Sequence, residues 1–501
     1  MTQTRRDFLK ASALGTVAAL SPLSYSRVLG ANDTIRIAVA GINGRGGSHI
    51  SEWTRMKGVQ LAYLIDPDTR TWDKKLKPLA ANNITPKTVK DAREALDDKE
   101  LNAMSIAAPN HWHSLLTIWG VQAGKDVYVE KPLSHNIHEG RIAVEIARKH
   151  KAIVQHGTQR RADKGWAKIA EVVKSGKYGK LLVSRGLVYK DGGAGQGTRG
   201  SIGTKPTKEV PAELDFNLWV GPAPMQPYHE NIVPYRWHWF WDFGNGDIGN
   251  QGVHQMDVAR WMIPGATLPK SVVSLGGRFC TPPDQGQTPN EQLTIMDFGD
   301  AQLIFEVRGL KSPKYPHAGD CDNVLHTTEG MIAGGKFYPK GKDEGESILE
   351  AREPRAARGG KGKGKAEGGD TAPGEGGSGI FANFIACMKS RKREDLVCDV
   401  LEGHYSAALC HLANISYRLG EEVPFSGAGK ALNGNTVANE TFAKMEEHLA
   451  QGNGIKLEGS MLRVGRKLMV DAKAENFGSD SQANAMLTRN YRTGFVVPEK
   501  A

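Results

Sequence analysis

Three polar side chains in the segment NQGVHQMD, at positions 250–257, have types and spacing that suit proton transfer. If residues 250–262 form one helix, spacings of four and three place Asn250, His254 and Asp257 on a single face. The histidine would then be the acid or base, because an imidazole titrates near neutral pH. The alternative is an ordinary helix start, capped by Asn250, in which His254 is hydrogen-bonded to Asp257. The segment alone favours that second interpretation.

A lysine that could act on an oxygen atom lies in the segment Glu130-Lys131-Pro132. The preceding residues, Val127 to Val129, are typical of a buried strand, and Pro132 would end it. Lys131 would then project beyond the strand, where its charge could polarise a carbonyl or hydroxyl oxygen. A surface lysine paired with Glu130 is the alternative, and the tripeptide alone favours it.

Another strand-like segment, Ala103 to Ala108, runs directly into Pro109-Asn110-His111-Trp112-His113. Loops at this place in open α/β sheets contact ligands, so this loop is a candidate contact zone. Helix capping and packing explain the same residues equally well. Because no carboxylate or third ligand stands nearby in sequence, we predict no metal site from His111 and His113.

A glycine-rich turn, Gly41-Ile42-Asn43-Gly44-Arg45-Gly46-Gly47, follows the strand-like segment Ile35 to Ala40 and precedes a predicted helix. Such a turn lets the backbone approach a dinucleotide pyrophosphate at a helix N-terminus, where N–H groups are unpaired. Asn43 stands where a second glycine is usual. Asp66 ends the next strand, 25 residues after Gly41, and could bind the adenosine ribose 2′-hydroxyl. The set predicts dinucleotide binding and favours NAD over NADP, because Asp66 would repel a 2′-phosphate.

The elements that must position these residues change character along the chain. Up to about residue 155, short β-branched segments alternate with helical ones, which predicts an α/β fold with a parallel sheet and helices on both faces. From about Leu181, strand-like segments follow one another with few helices, which predicts a second, α+β domain with an antiparallel sheet. Residues 351–379 are rich in Gly, Lys and Ala, which predicts a disordered insert.

The composition of the 501 residues is that of a globular protein with about two domains, at 39% hydrophobic and 24% charged residues. The net charge of +10 does not mark a nucleic-acid groove. Residues 1–31 hold four basic and one acidic side chain, so +3, and residues 351–379 hold six and four, so +2. Half of the excess therefore lies in a leader and a loop. The five cysteines show no C-x-x-C or metal spacing, which predicts buried free thiols.

The N-terminal segment Thr4-Arg5-Arg6-Asp7-Phe8-Leu9-Lys10 precedes a mildly apolar stretch, Ala11 to Leu23. That stretch is too short and too broken to span a bilayer as a mature helix. Twin arginines ahead of such a segment are typical of a Tat export signal, although a disordered cationic leader is the alternative. We therefore expect export to the periplasm or another extracytoplasmic space, with no stable membrane insertion after processing.

Taken in order, the glycine turn, PNHWH, VEKPLSHN and GNGDIGNQGVHQMD resemble the Gfo/Idh/MocA oxidoreductase family. The closing segment NAMLTRNYRTGFVVP and the leader resemble its exported members. The resemblance implies an N-terminal Rossmann domain with a doubly wound parallel sheet and a C-terminal α+β domain with an open, mostly antiparallel sheet, which often mediates homo-oligomerisation. The implied boundaries are a signal peptide over 1–31, a Rossmann domain over 33–157, a substrate and oligomerisation domain over 158–430, and a C-terminal extension over 431–501.

The resemblance also implies roles for individual residues. The lysine of the family's E-K-P motif is catalytic and corresponds to Lys131. The D-x-G-x-H-x-x-D motif falls on Asn250, Gly252, His254 and Asp257, and its histidine is the acid or base, assisted by the first aspartate. Asn250 replaces that aspartate here, and an amide cannot stabilise an imidazolium by charge or take up a proton.

We therefore predict an NAD-dependent oxidoreductase, with NADP as the alternative cofactor, that acts on a hydroxyl of a sugar, polyol or related carbohydrate. A glycosidase or lyase that uses tightly bound NAD transiently, and a non-catalytic protein that binds NAD and sugar, are the alternatives. The aromatic side chains of Tyr235, Trp237 and Trp239 could stack on a sugar or pack in the core. The predicted cofactor-binding residues are Gly41, Asn43, Gly44, Arg45, Gly46, Asp66, Pro109, Asn110, His113, Glu130 and Lys131.

Overall fold

The computed structural model describes residues 34–190, 201–280, 282–349, 379–432 and 434–501. The predicted signal peptide and nearly all of the predicted insert lie outside these residues. The expectations about export and about a disordered insert therefore stay predictions.

The N-terminal part is built on a parallel sheet. Its strands are β1 (Ile35–Ala40), β2 (Val59–Ile65), β3 (Lys87–Val89), β4 (Ala103–Ile106), β5 (Asp126–Val129) and β6 (Val154–His156). Within the described residues, six strands pair in the order β3-β2-β1-β4-β5-β6, all parallel. This order changes direction between β1 and β4, which leaves a crevice at the carboxyl ends of those two strands. The predicted α/β class is confirmed.

Helices cover both faces of this sheet because their apolar stripes must be buried against it. These helices are Gly46–Arg55, Trp72–Ala80, Ala92–Leu96, Asn110–Gln122 and Ile137–Lys149. Each of the first two strands is followed closely by a turn and a helix, as the alternating pattern predicts. The longest helices, Asn110–Gln122 and Ile137–Lys149, pack against each other on one face.

The C-terminal part contains a second, larger sheet. Its strands are β7 (Leu181–Tyr189), β8 (Ser271–Gly277), β9 (Glu291–Asp297), β10 (Gln302–Arg308), β11 (Cys321–Thr327), β12 (Gly330–Ala333), β13 (Lys336–Pro339), β14 (Glu346–Ser347), β15 (Glu421–Pro424), β16 (Met461–Val464) and β17 (Leu468–Met469). The described strands pair in the order β14-β13-β12-β11-β7-β10-β9-β8-β16-β15, with β17 beside β8. Strands β7 and β10 run parallel, and the other pairs are antiparallel. The predicted second domain is confirmed.

The remaining helices connect the two sheets or cover the second one. They are Lys164–Ser175, Phe216–Val220, Gly246–Gly249, Gly252–Met262, Gly379–Ser390, Val400–Arg418, Phe425–Ala428, Thr436–Glu447 and Ser481–Ala485. Shorter helical turns lie at Thr69–Thr71, Gln159–Ala162, Arg236–Trp239, Arg393–Asp395, Gly429–Leu432 and His448–Gly452. In the described ranges, we find no helix whose length and apolar character would let it cross a bilayer.

Two helices that the predicted boundaries assign to the second domain also pack against the first. Helix Val400–Arg418 contacts helix Ile137–Lys149 on one side and strand β8 on the other. Helix Gly379–Ser390 buries Phe381 on Tyr128 of β5, with ring centroids 4.5 Å apart. Aromatic burial thus places Gly379–Ser390 in the core of the first domain, although it follows the second domain's strands in sequence. The predicted domain boundaries stay predictions.

Both faces of the large sheet are covered by this chain itself. Alternate residues of β10 point to opposite faces: Phe305 joins the core formed with helix Gly252–Met262, and Ile304 joins a second core. That second core includes Phe425, Phe442 and Leu449, among other C-terminal residues. C-terminal segments of the chain thus cover part of the second face of this sheet. Homo-oligomerisation stays a prediction.

Candidate active site

A cleft of about 1850 Å³ lies between the carboxyl edge of the parallel sheet and the second domain. Clefts for single small molecules usually measure about 300–1000 Å³. This one therefore has room for a dinucleotide together with a second ligand. Residues predicted from the sequence line it, including Gly41, Asp66, Asn110, Lys131 and His254.

The glycine turn between β1 and helix Gly46–Arg55 is tightly packed at two positions and open at a third. Gly41 has φ +79°, and a Cβ there would lie 2.5 Å from the Ala108 nitrogen. A Cβ on Gly46 would lie 1.9 Å from the Gly41 oxygen, whereas one on Gly44 would meet nothing within 4 Å. The first two glycines thus hold the turn against the sheet, and the third leaves space for a ligand. Asn43 lines the cleft beside it.

The start of this helix fits a pyrophosphate. Its first turn carries no acidic side chain, and no side chain caps its N-terminal N–H groups. Those groups and the positive end of the helix dipole attract phosphate oxygens. Arg45 adds a positive charge beside the turn, with 40% of its side chain exposed.

Asp66, at the end of β2, forms one wall of the cleft. One carboxylate oxygen accepts the Ile42 N–H and the other accepts the Asp68 N–H, both at 3.0 Å. Burial raises the pKa of this carboxyl to about 6, so it is mostly ionised at neutral pH. Each oxygen keeps a lone pair that a ribose hydroxyl could use. This position agrees with the predicted preference for NAD.

Glu130 fastens the glycine turn to the end of β5. Its Oε1 accepts from Arg45 Nε at 2.8 Å, from His49 Nε2 at 3.1 Å and from Gln159 Nε2 at 3.1 Å. Burial opposes its ionisation, but Arg45 and His49 outweigh burial and hold the pKa of the carboxyl well below its usual range. Glu130 is thus a neutralised anchor. It does not pair with the Lys131 ammonium, as the alternative interpretation of that lysine required.

Lys131 reaches across the cleft to the second domain. Its Nζ donates to the Asn250 backbone oxygen at 3.0 Å and lies 3.4 Å from Asn250 Oδ1. Burial lowers the pKa of the ammonium, while Glu130 and Asp247 oppose that shift. The structure therefore brings the predicted lysine and Asn250 together, through a contact that the sequence analysis did not foresee.

The helix that carries His254 starts later than predicted. It runs from Gly252 to Met262, whereas Asn250 ends the short helix Gly246–Gly249 with φ −96° and ψ −90°. The prediction that Asn250, His254 and Asp257 share one helix face is therefore wrong, because the backbone bends at Asn250. The bend aims Asn250 at Lys131.

His254 lines the cleft and does not hydrogen-bond to Asp257. Its Nδ1 is buried and has no hydrogen-bond partner among the described residues. Burial, together with the charges of Lys131 and Arg160, lowers the pKa of the imidazole well below its usual range. At neutral pH the ring is therefore uncharged and can accept a proton.

Asp257 belongs to the scaffold, which corrects its predicted place beside His254. Its carboxylate accepts from Arg161 Nε at 2.9 and 3.0 Å and from Ser406 Oγ at 2.6 Å. The side chain is completely buried and does not line the cleft. Three residues beyond His254, the helix has turned towards helix Val400–Arg418. Asp257 therefore joins helix Gly252–Met262 to the turn Gln159–Ala162 and to helix Val400–Arg418 rather than touching a ligand.

The loop after β4 divides between ligand contact and packing. Pro109, Asn110 and His113 line the cleft, whereas His111 is buried, with Nε2 3.0 Å from the Trp219 oxygen. The two ring nitrogens of His113 lie 2.6 and 2.7 Å from the oxygens of Pro132 and Ala108. His113 thus ties the β4 loop to the β5 loop. Within the described ranges, no cluster of three or more His, Cys, Asp or Glu side chains could hold a metal ion.

The wall opposite the dinucleotide turn is partly aromatic. Tyr235 and Trp237 line the cleft together with His238, which stacks on Trp237 at 3.6 Å between ring centroids. Trp239 is 1% exposed and belongs to the core. The candidates for sugar stacking thus divide into two that reach the cleft and one that does not.

Sequence reasoning missed several basic residues of the cleft, among them Arg160 and Lys190. Arg160 lies just beyond β6, in the helical turn Gln159–Ala162. The signal was available, because the ends of parallel strands meet at one edge and a polar segment after β6 must lie there. Lys190 directly follows β7 and donates to Gln251 Oε1 at 3.0 Å.

Comparison with known proteins agrees with this geometry. Residues 35–158 match the model of an oxidoreductase family, GFO_IDH_MocA, described as an NAD-binding Rossmann fold. Residues 171–274 match the C-terminal alpha/beta domain of the same family. Two domain models of one family thus match residues on both sides of the cleft, and the first domain is an NAD-binding Rossmann domain.

Curated relatives align with part of the chain. A scyllo-inositol 2-dehydrogenase (NAD(+)) of Bacillus subtilis is 29% identical over 301 residues, 60% of this chain and 73% of the relative. An inositol 2-dehydrogenase of Leifsonia xyli is 28% identical over 193 residues, 38% of this chain and 55% of the relative. The chain therefore spans about half the length of several relatives that it matches.

A solved structure shares the fold. The WlbA dehydrogenase from Chromobacterium violaceum, determined with NADH and UDP-GlcNAcA, superposes with a TM-score of 0.52 at 16% identity. The superposition covers 77% of this chain and 95% of that one. This likeness supports the two-domain architecture.

The scaffold role of Asp257 predicts a stability defect. Asp257→Asn removes the buried carboxylate that neutralises Arg161, and breaking such a pair costs about 3–5 kcal/mol. We expect a clearly lower melting temperature. As a control, Asp300→Asn removes a carboxylate that is 92% exposed and should change stability by at most about 1 kcal/mol. A variant with wild-type melting temperature and no turnover would instead place Asp257 in the reaction.

Proposed function

We propose that this protein, whose two domains match the Gfo/Idh/MocA oxidoreductase family, is an NAD-dependent oxidoreductase acting on a hydroxyl-bearing carbon of a sugar or polyol. The observation that carries the proposal is the meeting of Lys131, Asn250 and His254 in the cleft that also holds the dinucleotide turn. The inositol dehydrogenases among its relatives support the substrate class.

The residues of the cleft fit the cofactor in three places. The turn around Gly44 accepts the pyrophosphate, Asp66 accepts a ribose hydroxyl, and the loops after β4 and β5 border the reacting end. Bound NAD supplies the hydride acceptor for oxidation of the substrate carbon, and NADH the donor for the reverse reaction. The protein must hold the substrate oxygen and move its proton.

Lys131 holds the substrate oxygen in this proposal. Its ammonium lies at the end of β5, fixed by the Asn250 backbone oxygen. A cation at this place stabilises the negative charge that develops on a hydroxyl oxygen as its proton leaves. Of the three ammonium hydrogens, those not bonded to Asn250 can point to the substrate.

His254 accepts the proton of the substrate hydroxyl. Its ring is neutral at neutral pH, because burial and the neighbouring cations oppose its protonation. When the hydroxyl transfers its proton to the ring, the imidazolium forms close to the positive charges of Lys131 and Arg160. Because these charges destabilise the imidazolium, His254 gives up the proton readily after it has accepted it.

Asn250 positions Lys131 without neutralising it. An aspartate there would place a carboxylate near the ammonium, whereas the amide offers only a dipole. The lowered pKa of Lys131 is thus preserved. The protein retains the geometry of the family motif and changes the charge balance within it.

Removal of the Lys131 ammonium should abolish most turnover. Lys131→Met keeps the length of the side chain, and we expect kcat/KM to fall by about 10²–10⁴-fold, the usual effect of losing such a group. NADH formation at 340 nm with a panel of inositols and sugars measures this. Lys180→Met, at an exposed lysine, is the control. Unchanged turnover in Lys131→Met, or glycoside cleavage without net NADH, would contradict the proposal.

The charge at position 250 should set the alkaline limit of activity. Turnover needs Lys131 charged, so it is lost as the pH rises through the lowered pKa of this lysine. Asn250→Asp places a carboxylate beside the ammonium and raises that pKa, so the alkaline limb of kcat/KM should move to higher pH. Asn439→Asp, at an exposed residue outside the cleft, should leave the profile unchanged. An unmoved limb in Asn250→Asp would show that Lys131 does not control it.

Export by the Tat pathway also belongs to this proposal, and the segment Thr4 to Lys10 supports it. In a bacterial host with an intact Tat pathway, the full chain should reach the periplasmic fraction. Changing Arg5 and Arg6 to lysine should retain it in the cytoplasm, because the twin-arginine receptor reads those side chains. Equal distribution of both proteins between the fractions would contradict export by this route.

A further inference from the structure

We propose that the substrate of this site carries an anionic group, a carboxylate or a phosphate, and that Arg160 binds it. The inference rests on the proposed oxidoreductase function and narrows its substrate class. It starts from two adjacent arginines, Arg160 and Arg161, which differ in whether their charge is paired with a carboxylate.

Arg161 is fully neutralised within the protein. Its Nε contacts Asp257 at 2.9 Å and its Nη2 lies 2.9 Å from Glu402. The side chain is 9% exposed and does not line the cleft. A buried guanidinium normally requires such partners, because an uncompensated charge is costly to remove from water.

Arg160 has no ion pair with a carboxylate among the described residues, and it lines the cleft. Its Nη2 donates to the Cys321 oxygen at 2.8 Å, and its Nη1 lies 3.4 Å from Asn323 Oδ1. Both acceptors are neutral. In its hydrogen-bonding orientation the Gln255 amide oxygen also accepts from Nη2, at 3.0 Å. These neutral partners hold the guanidinium in place and leave the Nε N–H and one Nη1 N–H for a ligand.

The nearest carboxylates have other partners. Asp163 accepts the N–H groups of Gly165 and Trp166, so it caps helix Lys164–Ser175. Asp322 accepts the N–H groups of Gly319 and Asn323. These acids weakly support the charge of Arg160, but burial still lowers the pKa of its guanidinium. An anionic group of a ligand would neutralise the charge of the Arg160 guanidinium.

The reacting end of the cleft is rich in positive charge. Lys131, Lys190 and Arg160 all line it, and the family aspartate is replaced by the neutral Asn250. Glu130 lies at the same end but is held by Arg45 and His49. Asp163 and Asp322 also line the cleft, but each accepts backbone N–H groups. An anionic substrate would give Arg160 an ion-pair partner that a neutral sugar would not.

Carboxylate and phosphate share the chemistry that Arg160 recognises. Each presents two oxygens that can accept parallel hydrogen bonds from a guanidinium. A sugar acid and a sugar phosphate are therefore the two sources of the group. Their different lengths and charges allow binding measurements to separate them.

The test compares D-glucose, D-glucuronate and D-glucose 6-phosphate by calorimetric titration into the NADH-loaded protein. We expect one of the two anions to bind at least tenfold more tightly than glucose, since hydrogen bonds to charged groups give about this ratio or more. Arg160→Gln should lose at least tenfold in affinity for that anion and change little for glucose. The favoured anion identifies carboxylate or phosphate as the source.

Two further variants exclude indirect effects. Arg160→Lys keeps the charge and should retain part of the preference if Arg160→Gln folds poorly. Lys174→Gln removes one charge from an exposed position of the neighbouring helix, outside the cleft, and should bind all three probes as the wild type does. An anion preference that survives in Arg160→Gln, equal binding of glucose and both anions, or no binding of either anion at millimolar concentration would overturn the proposal.

The outcome separates this inference from the proposed function. If neutral sugars are oxidised and no anion preference exists, the oxidoreductase proposal is supported and anion binding by Arg160 is contradicted. If anions bind through Arg160 but no sugar, acid or phosphate yields NADH, the role of Arg160 stands and hydride transfer falls.

Discussion

Parallel strands end at a common edge, and this geometric constraint organises the whole site. Gly41 follows β1, Asp66 ends β2, Pro109 comes shortly after β4, Lys131 follows β5 and Arg160 lies beyond β6. These residues are spread over about 120 positions of sequence, yet all of them line one cleft. The sheet therefore brings together the cofactor-binding turn, the reacting lysine and the proposed anion-binding arginine, although they are far apart in the chain.

Charge neutralisation decides which side chains of that cleft remain available. Glu130 and Asp257 are buried acids, and each is held by an arginine. Glu130 fixes the glycine turn, and Asp257 joins helix Gly252–Met262 to helix Val400–Arg418. Among the described residues, the side chains of Lys131 and Arg160 donate hydrogen bonds only to neutral oxygens. The carboxylates of Glu130 and Asp257 thus stabilise the scaffold, whereas the charges of Lys131 and Arg160 stay available for a ligand.

Local sequence patterns predicted much of the fold because their causes are local. The β-branched run Ile35–Ala40 and the glycine turn behind it mark a buried strand and a helix start, whatever follows later in the chain. The segment around position 250 was different. Its helix was expected to begin at Asn250, but the backbone bends there and the helix begins at Gly252. The hydrogen bond from Lys131, just after β5, was needed to show where Asn250 lies.

The sequence by itself determined the two-domain class, the dinucleotide turn and the residues most suited to chemistry, since strand, turn and motif signals act over short distances. Only the tertiary structure decided which of those residues meet. Asp257 binds Arg161 and Ser406, Asn250 accepts from Lys131, and Arg160 lines the cleft with no ion-pair partner among the described residues. The physical reason is that burial and charge pairing depend on elements about a hundred or more residues apart, which no local pattern records.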